Sequence, residues 1–280
     1  MTTQVKSGVL YLVGVPIGNY EDITLRALET LKQVDVIAAE DTRKAQRLLA
    51  HFSIQYTDLL SHGSHNEHHG AKGLQQLLAD GKSIAFISDA GMPGISDPGY
   101  LLARHVFENG GDVEVIPGVT AATTAVVASG LPCDRFFFAG FLPRKTNERQ
   151  EKLKTYAAYP ETLVFYEAPH RILDMLQDTL EVLGDRDACL GRELTKTHEE
   201  YIRLPLSEIL AEMQNRAEVR GEMTVIVQGC TSQNDGVDID GEILQRLAEG
   251  KTVKQTRDEV AETFSLSKKM VYNRCLALKD

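Results

Sequence analysis

Short runs of β-branched and aromatic residues alternate along this chain with longer stretches in which apolar residues recur every three to four positions. The short runs fit strands buried on both faces, and the longer period fits helices that bury one face. Strands are predicted near Val9–Val13, Val34–Ala38, Ser83–Ser88, Val113–Ile116, Phe136–Gly140, Thr162–Tyr166, Ala188–Leu190 and Thr224–Gln228. Between them, Thr24–Gln33, Gly70–Asp80, Gly99–Asn109, Thr120–Ser129, Asn147–Ala157, Arg171–Leu183 and Ser207–Glu218 read as amphipathic helices. Alternation of this kind predicts an α/β fold. The Pro117-Gly118 turn is the expected boundary between an N-terminal α/β domain over 1–116 and a second over 117–229. A polar, aperiodic stretch from Gly229 to Gly241 reads as a linker, and 240–280 as a small helical domain. There Thr256 and Glu259 have capping-box spacing, and Ser267 is placed to cap a last helix from Lys268. The order Arg257–Phe264, turn, Lys268–Leu278 resembles a helix-turn-helix.

Composition narrows the function classes. With 280 residues, 42% of them hydrophobic, the chain has material for two cores. The apolar run near the N-terminus stops at Pro16, too short for a signal peptide or membrane span, so a cytoplasmic protein is expected. Cys133, Cys189, Cys230 and Cys275 are widely spaced, without a CxxC pair, and are expected to be reduced and mostly buried. A net charge of -10 argues against non-specific coating of nucleic acid, so any RNA partner must be met by local basic patches.

Three glycine-rich turns carry candidate chemistry. The first strand runs into Gly14-Val15-Pro16-Ile17-Gly18-Asn19, which is neither a Walker A sequence nor a GxGxxG fingerprint. Ser88–Gly99 follows a strand and packs three Gly, two Pro and two Asp into a stiff acidic loop, and loops at strand C-termini are where open α/β sheets bind ligands. Its carboxylates lack the alternating spacing of an EF-hand and suit a hydroxyl or amino group as well as a cation. Pro117-Gly118-Val119-Thr120 opens a helix rich in small residues, which suits either close helix packing or a flat ligand.

In this order, these motifs resemble the tetrapyrrole methylase superfamily, also called class III methyltransferases. A narrower resemblance, to the family that methylates a ribose of small-subunit ribosomal RNA, rests on LYLVGVPIGN at 10–19, AAEDTRK at 38–44, His65-Asn66-Glu67, SDAGMPGISDPG at 88–99, PGVTAATTAVVASGLP at 117–132, FAGFLPRK at 138–145 and FYEAPHR at 165–171. The resemblance implies a two-domain tetrapyrrole-methylase-like fold with a small helical C-terminal extension, a homodimer, and S-adenosylmethionine in the cleft between the domains. It implies methyl transfer to the 2'-hydroxyl of a cytidine in the decoding region of the small-subunit (16S) RNA, within the assembled subunit. Carried onto this sequence, Gly14, Val15, Pro16, Ile17 and Gly18 would line the cleft, with Ala90, Gly91, Met92, Pro93, Ile95, Ser96, Thr120 and Ala121 against the cofactor. Tyr166, Glu167 and Met223 would face its adenosine.

A ribose hydroxyl is a weak nucleophile that a positioned base would help to deprotonate. Glu40, Asp41, His65, Glu67 and Glu167 are candidates, and the sequence does not choose among them; Glu40-Asp41 equally suits a helix cap. Arg43, Lys44, Arg144, Lys145 and Arg171 could meet phosphates, as could Lys268 and Lys269 on the last helix. Arg149, Lys152 and Lys154 extend the Arg144-Lys145 segment, which reads as a solvated helix face as well as it does an RNA contact. His62, His65, His68 and His69 invite a metal reading, but closed sites usually draw on two separated segments, so no metal is expected. A methylase of a tetrapyrrole or other small acceptor and a non-enzymatic nucleic-acid-binding protein are the competing readings. The first is disfavoured by the matches outside the cofactor loops, the second by the acidic charge.

Overall fold

The computed structural model describes residues 4–63, 67–230, 239–264 and 268–278. In the first half, β1 (Val9–Val13), β2 (Val36–Ala39), β3 (Asp58–Ser61), β4 (Ile84–Ile87) and β5 (Asp112–Ile116) form a parallel sheet in the order β3-β2-β4-β1-β5. β2 and β4 are buried at every position, as continuous apolar runs in a covered parallel sheet should be. Helices α1 (Leu25–Gln33) and α2 (Thr42–His51) cover one face, where Leu31, Ala45 and Leu49 meet Tyr11 and Ile37. α3 (Glu67–Ala79) and α4 (Tyr100–Glu108) cover the other, with Leu74, Leu78, Leu102 and Val106 packed on Leu10 and Phe86. The neighbouring strands β1 and β4 therefore send their following helices to opposite faces. Such a switch point opens a crevice at the strand C-termini.

The second half builds a mixed sheet from β6 (Phe136–Phe141), β7 (Thr162–Glu167), β8 (Asp187–Arg192), β9 (Glu200–Pro205) and β10 (Met223–Val227), in the order β6-β7-β10-β8-β9. Only β6 and β7 are parallel, and a bulge between Phe138 and Gly140 bends β6. α5 (Ala121–Ser129) lies on one face, its Ala122, Ala125 and Val126 packed on Val164, Cys189 and Ile226. Small side chains let this helix sit close to the sheet. α6 (Thr146–Tyr156), α7 (Ile172–Leu183) and α8 (Leu206–Gln214) cover the other face. The last helices, α9 (Ile239–Ala248), α10 (Val253–Thr263) and α11 (Lys268–Ala277), enclose a small core of Ile243, Val260, Ala261, Val271 and Cys275.

Several elements depart from the sequence reading. α2, β3 and β9 were not anticipated: α2 follows a polar run, and the edge strands β3 and β9 each bury few side chains. β2 starts at Val36 because Asp35 is held outside the strand, its carboxylate accepting from Ser83 N and Oγ at 2.8 and 2.7 Å. α8 stops at Gln214 and does not reach Glu218. The capping box of α10 is Thr252 with Gln255; Thr256 is fully buried inside the helix. Ser267 lies outside the described residues. Cys189 and Cys275 are buried, but Cys133 is exposed and Cys230 half-buried, and none of the four forms a disulfide.

The outer edge of the second sheet is tied by a charge cluster. Glu200 accepts from Arg216 at 2.6 and 2.8 Å and from Arg192 at 2.8 Å, and these bonds hold its carboxyl down at about 2. An acid depressed in the folded state stabilises fully above its ordinary value near 4.5 and loses that contribution as pH falls toward 2. Glu200→Gln should therefore lower stability by about 2 kcal/mol at pH 7, allowing for partial exposure, and by almost nothing near pH 2. Urea denaturation across pH checks this, and a pH-independent difference would refute it.

Candidate active site

Three loops meet at the C-terminal ends of β1, β4 and β5. Val15 and Gly91 exchange backbone hydrogen bonds at 2.9 and 3.1 Å, and Gly14 N donates to Ile116 O at 2.9 Å. Gly14 and Gly118 pack backbone to backbone: a Cβ on Gly14 would lie 2.7 Å from Gly118 N. Only glycine permits this approach.

Beside this junction a cavity of about 250 Å³ opens toward the second sheet. One side is Ile17, Ala90, Gly91, Met92, Ile95, Ser96 and Asp97, with Thr120 and Ala121 at the start of α5. The other side is Phe141 from β6, Tyr166 and Glu167 from β7 with Ala168 and Pro169, Leu194, and Glu222 to Thr224 around the start of β10. Tyr166 fastens the two sides: its hydroxyl accepts from Ala122 N at 3.0 Å, and its ring meets Phe138 and Phe141 edge-on. Thr120 caps α5 by accepting from Thr123 N.

Of the cofactor residues expected from sequence, Ile17, Ala90, Gly91, Met92, Ile95, Ser96, Thr120, Ala121, Tyr166, Glu167 and Met223 stand in this wall. Val15, Pro16 and Gly18 instead line an adjoining cavity of about 290 Å³, which shares Ile17, Ala90 and Glu222 with the first. Gly14 is packed against Gly118, and Pro93 lines neither cavity. Asp97 belongs to the acidic loop whose carboxylates were read as ligand partners, and Phe141 to the FAGFLPRK motif, though neither was assigned to the cofactor. Leu194 and Glu222 carried no signal in the sequence and are brought in by the second sheet.

The wall is mainly apolar, with carboxylates from Asp97, Glu167 and Glu222 and, among the described residues, no lysine, arginine or histidine. Burial pushes the carboxyls of Asp97 and Glu167 above their ordinary range, and Asp89 adds to the rise at Asp97. Glu167 Oε1 accepts from Ala168 N at 2.8 Å, while Oε2 lies 3.2 Å from Arg171 Nη2 without the alignment of a hydrogen bond. Such a surface suits a ligand with apolar parts and positive charge, not a polyphosphate.

The chain matches the family model for tetrapyrrole (corrin/porphyrin) methylases over residues 9–210. Among solved structures it shares its fold with a uroporphyrin-III C-methyltransferase of Thermus thermophilus complexed with S-adenosyl homocysteine (TM-score 0.57, 23% identity, 78% of this chain and 96% of that one). The likeness to a cobalt precorrin-4 methyltransferase is similar (TM-score 0.59, 18% identity, 79% and 95%). Much greater similarity is found to curated proteins named ribosomal RNA small subunit methyltransferase I. The Halalkalibacterium halodurans protein is 44% identical over 273 residues, covering 95% of this chain and 94% of its own length. That of Escherichia coli O157:H7 is 45% identical over 274 residues, covering 96% and 95%.

The chain belongs to the ribosomal RNA small subunit methyltransferase I family. It is accordingly an S-adenosylmethionine-dependent methyltransferase with the tetrapyrrole methylase fold. The cavity fits that cofactor: a sulfonium and an ammonium find buried and half-buried carboxylates, and the adenine finds aromatic and aliphatic wall.

The other sequence candidates of this methyltransferase are scattered. Asp41 caps α2 and binds Arg43 through both carboxylate oxygens, at 3.1 and 2.7 Å, which holds its carboxyl well below the usual range. Glu40 accepts from Asp89 N at 3.2 Å, and burial raises its carboxyl. Lys44 pairs with Asp89 at 2.7 Å, Lys145 with Glu148 at 2.9 Å and Lys268 with Asp258 at 3.1 Å. Arg144 is exposed, and Arg171 donates to the carbonyls of Leu142 and Pro143 at 2.8 and 3.2 Å. Arg149 does not belong to a solvated face: it is fully buried against Asp178. His62 is buried edge-on to the Phe86 ring. His65 and the side chains of Glu67, His68, His69 and Lys269 lie outside the described residues. No helix among the described residues is long and apolar enough to cross a membrane.

Proposed function

We propose that this methyltransferase 2'-O-methylates the ribose of a cytidine in the decoding region of small-subunit (16S) ribosomal RNA, acting on the assembled subunit as a cytoplasmic homodimer. The observation that carries the reading is identity of 40–45% along nearly the whole chain to curated proteins named for that RNA. Bound in the 250 Å³ cavity, S-adenosylmethionine supplies an electrophilic methyl group. The chain's task is to hold the acceptor hydroxyl in line with that methyl and to take its proton. Among the three candidates whose side chains are described, Glu40, Asp41 and Glu167, only Glu167 stands in the cavity wall. Burial raises its carboxyl above the ordinary range, which makes it a stronger base than an exposed carboxylate. Arg171, 3.2 Å away, orients it.

Labelled methyl transfer tests this with small ribosomal subunits and a precorrin-type tetrapyrrole as acceptors. The wild type should label subunit RNA at a ribose, and Glu167→Gln should lower kcat at saturating cofactor by about 100-fold, the usual size of a general-base contribution. Labelling of the tetrapyrrole would overturn the substrate. Wild-type kcat in Glu167→Gln would remove Glu167 from the mechanism.

A further inference from the structure

The basic residues around α6 fall into two sets. Lys145 pairs with Glu148 at 2.9 Å, Lys154 with Glu151 at 2.7 Å, and buried Arg149 with Asp178 at 2.5 Å. Arg144 and Lys152 have no carboxylate partner among the described residues, and Lys152 Nζ sits 5.3 Å from the centre of the Tyr156 ring. These two, with His170 and Arg171, line a cavity of about 620 Å³ whose remaining wall is apolar or aromatic. Among the described residues no carboxylate stands in its wall, although the chain carries 40 Asp and Glu against 30 Lys and Arg. Two cations without a carboxylate partner, Arg144 and Lys152, beside a hollow whose described wall is acid-free select an anion.

Position adds to charge. Phe141 and Ala168 belong to the walls of both this cavity and the cofactor cavity. The two are electrostatic opposites: carboxylates face the methyl donor, and cations face the space next to it. The β6 bulge leaves Phe141 56% exposed between them. The segment carrying Arg144 is fixed in advance, because Arg149 donates to the carbonyls of Pro143 and Arg144 at 3.4 and 3.1 Å, and Arg171 to those of Leu142 and Pro143. Preorganisation of this kind strengthens binding without new contacts.

We infer that this cavity is the acceptor-strand subsite, in which Arg144 and Lys152 hold a phosphodiester beside the ribose to be methylated and Phe141 stacks on a neighbouring base. The inference rests on the RNA reading above. It separates Arg144 and Lys152 from Lys145 and Lys154, whose charges are already answered.

The test measures binding of small ribosomal subunits, isolated from cells lacking the gene, as a function of salt, with cofactor affinity followed by calorimetry. Arg144→Ala combined with Lys152→Ala should weaken subunit binding at least about tenfold at physiological salt. It should also reduce the slope of log K against log salt by about 0.7, the value for one phosphate contact on a single strand. Cofactor affinity should stay unchanged. Lys154→Ala, which removes a charge from the same helix outside the cavity, should match the wild type. Unchanged affinity and slope in the double variant, or an equal loss in Lys154→Ala, overturns the placement while the wild type still methylates subunits. Failure of the wild type to methylate subunits overturns the RNA reading itself.

Discussion

Gly118→Ala is expected to weaken S-adenosylmethionine binding by about 10- to 100-fold, through a single added methyl group outside the cavity wall. Its Cβ would stand 2.9 Å from Gly14 Cα and 3.0 Å from Gly14 C, both backbone atoms that cannot swing aside. Either the β1 loop or the β5 loop must move. Overpacking of this kind costs about 1–3 kcal/mol in stability, and displacement of Ile17 and Thr120 in the cavity wall removes a comparable amount of binding energy, about 1.4 kcal/mol per tenfold. Gly73→Ala is the control, since a Cβ there meets nothing within 4 Å and alanine suits the interior of α3. Gly91→Leu would be a poorer probe, because its φ of 69° strains any side chain whatever the site does. Calorimetric affinity and thermal midpoint together check the prediction; wild-type affinity in Gly118→Ala would mean that the glycine contact does not set the cavity.

Arg149→Met should destabilise the second half of the protein by about 3–5 kcal/mol, the usual penalty for leaving a buried charge without its partner. The guanidinium bonds Asp178 through Nε at 2.6 Å and also reaches Thr146 Oγ1 at 3.3 Å. With it gone, Asp178 keeps only Gln150 Nε2 at 2.8 Å. The double variant Arg149→Met with Asp178→Leu should recover much of the loss, because apolar groups of similar volume replace a buried ion pair at little net cost. Chemical denaturation of the two single variants and the double one measures the coupling. Additive losses would show that the pair is not the unit of stability here. The same substitution unfastens Pro143 and Arg144, so subunit binding should weaken even in the fraction that remains folded.

The alternation of strands and helices was legible because both halves bury continuous apolar runs, as at Ile84–Ile87 and Met223–Val227. What escaped lay within a polar run or at a sheet edge. α2 buries only Ala45, Leu48 and Leu49, although their spacing was a helical signal, and β9 buries only Ile202 fully. At the site, the glycine loops could be read as ligand-facing turns from composition alone. That Gly14 meets Gly118 depends on the convergence of β1 and β5, which no local pattern records. Arg149 shows the same limit with charge: its neighbours Glu148 and Glu151 suggest a solvated face, but its partner lies 29 residues away on α7. The contrast between an acid-lined and an acid-free cavity is a property of the assembled sheets.

The central claim is that the enzyme acts on a ribose of the small-subunit RNA, and mapping ribose methylation in that RNA from cells with and without the gene tests it most directly. A 2'-O-methyl group blocks alkaline cleavage at the next phosphodiester, so one protected cytidine in the decoding region should be present with the gene, vanish without it, and return on complementation. It should not return when the complementing copy carries Gly118→Ala. An identical protection pattern in both strains, or a difference confined to base methylation, would contradict the account.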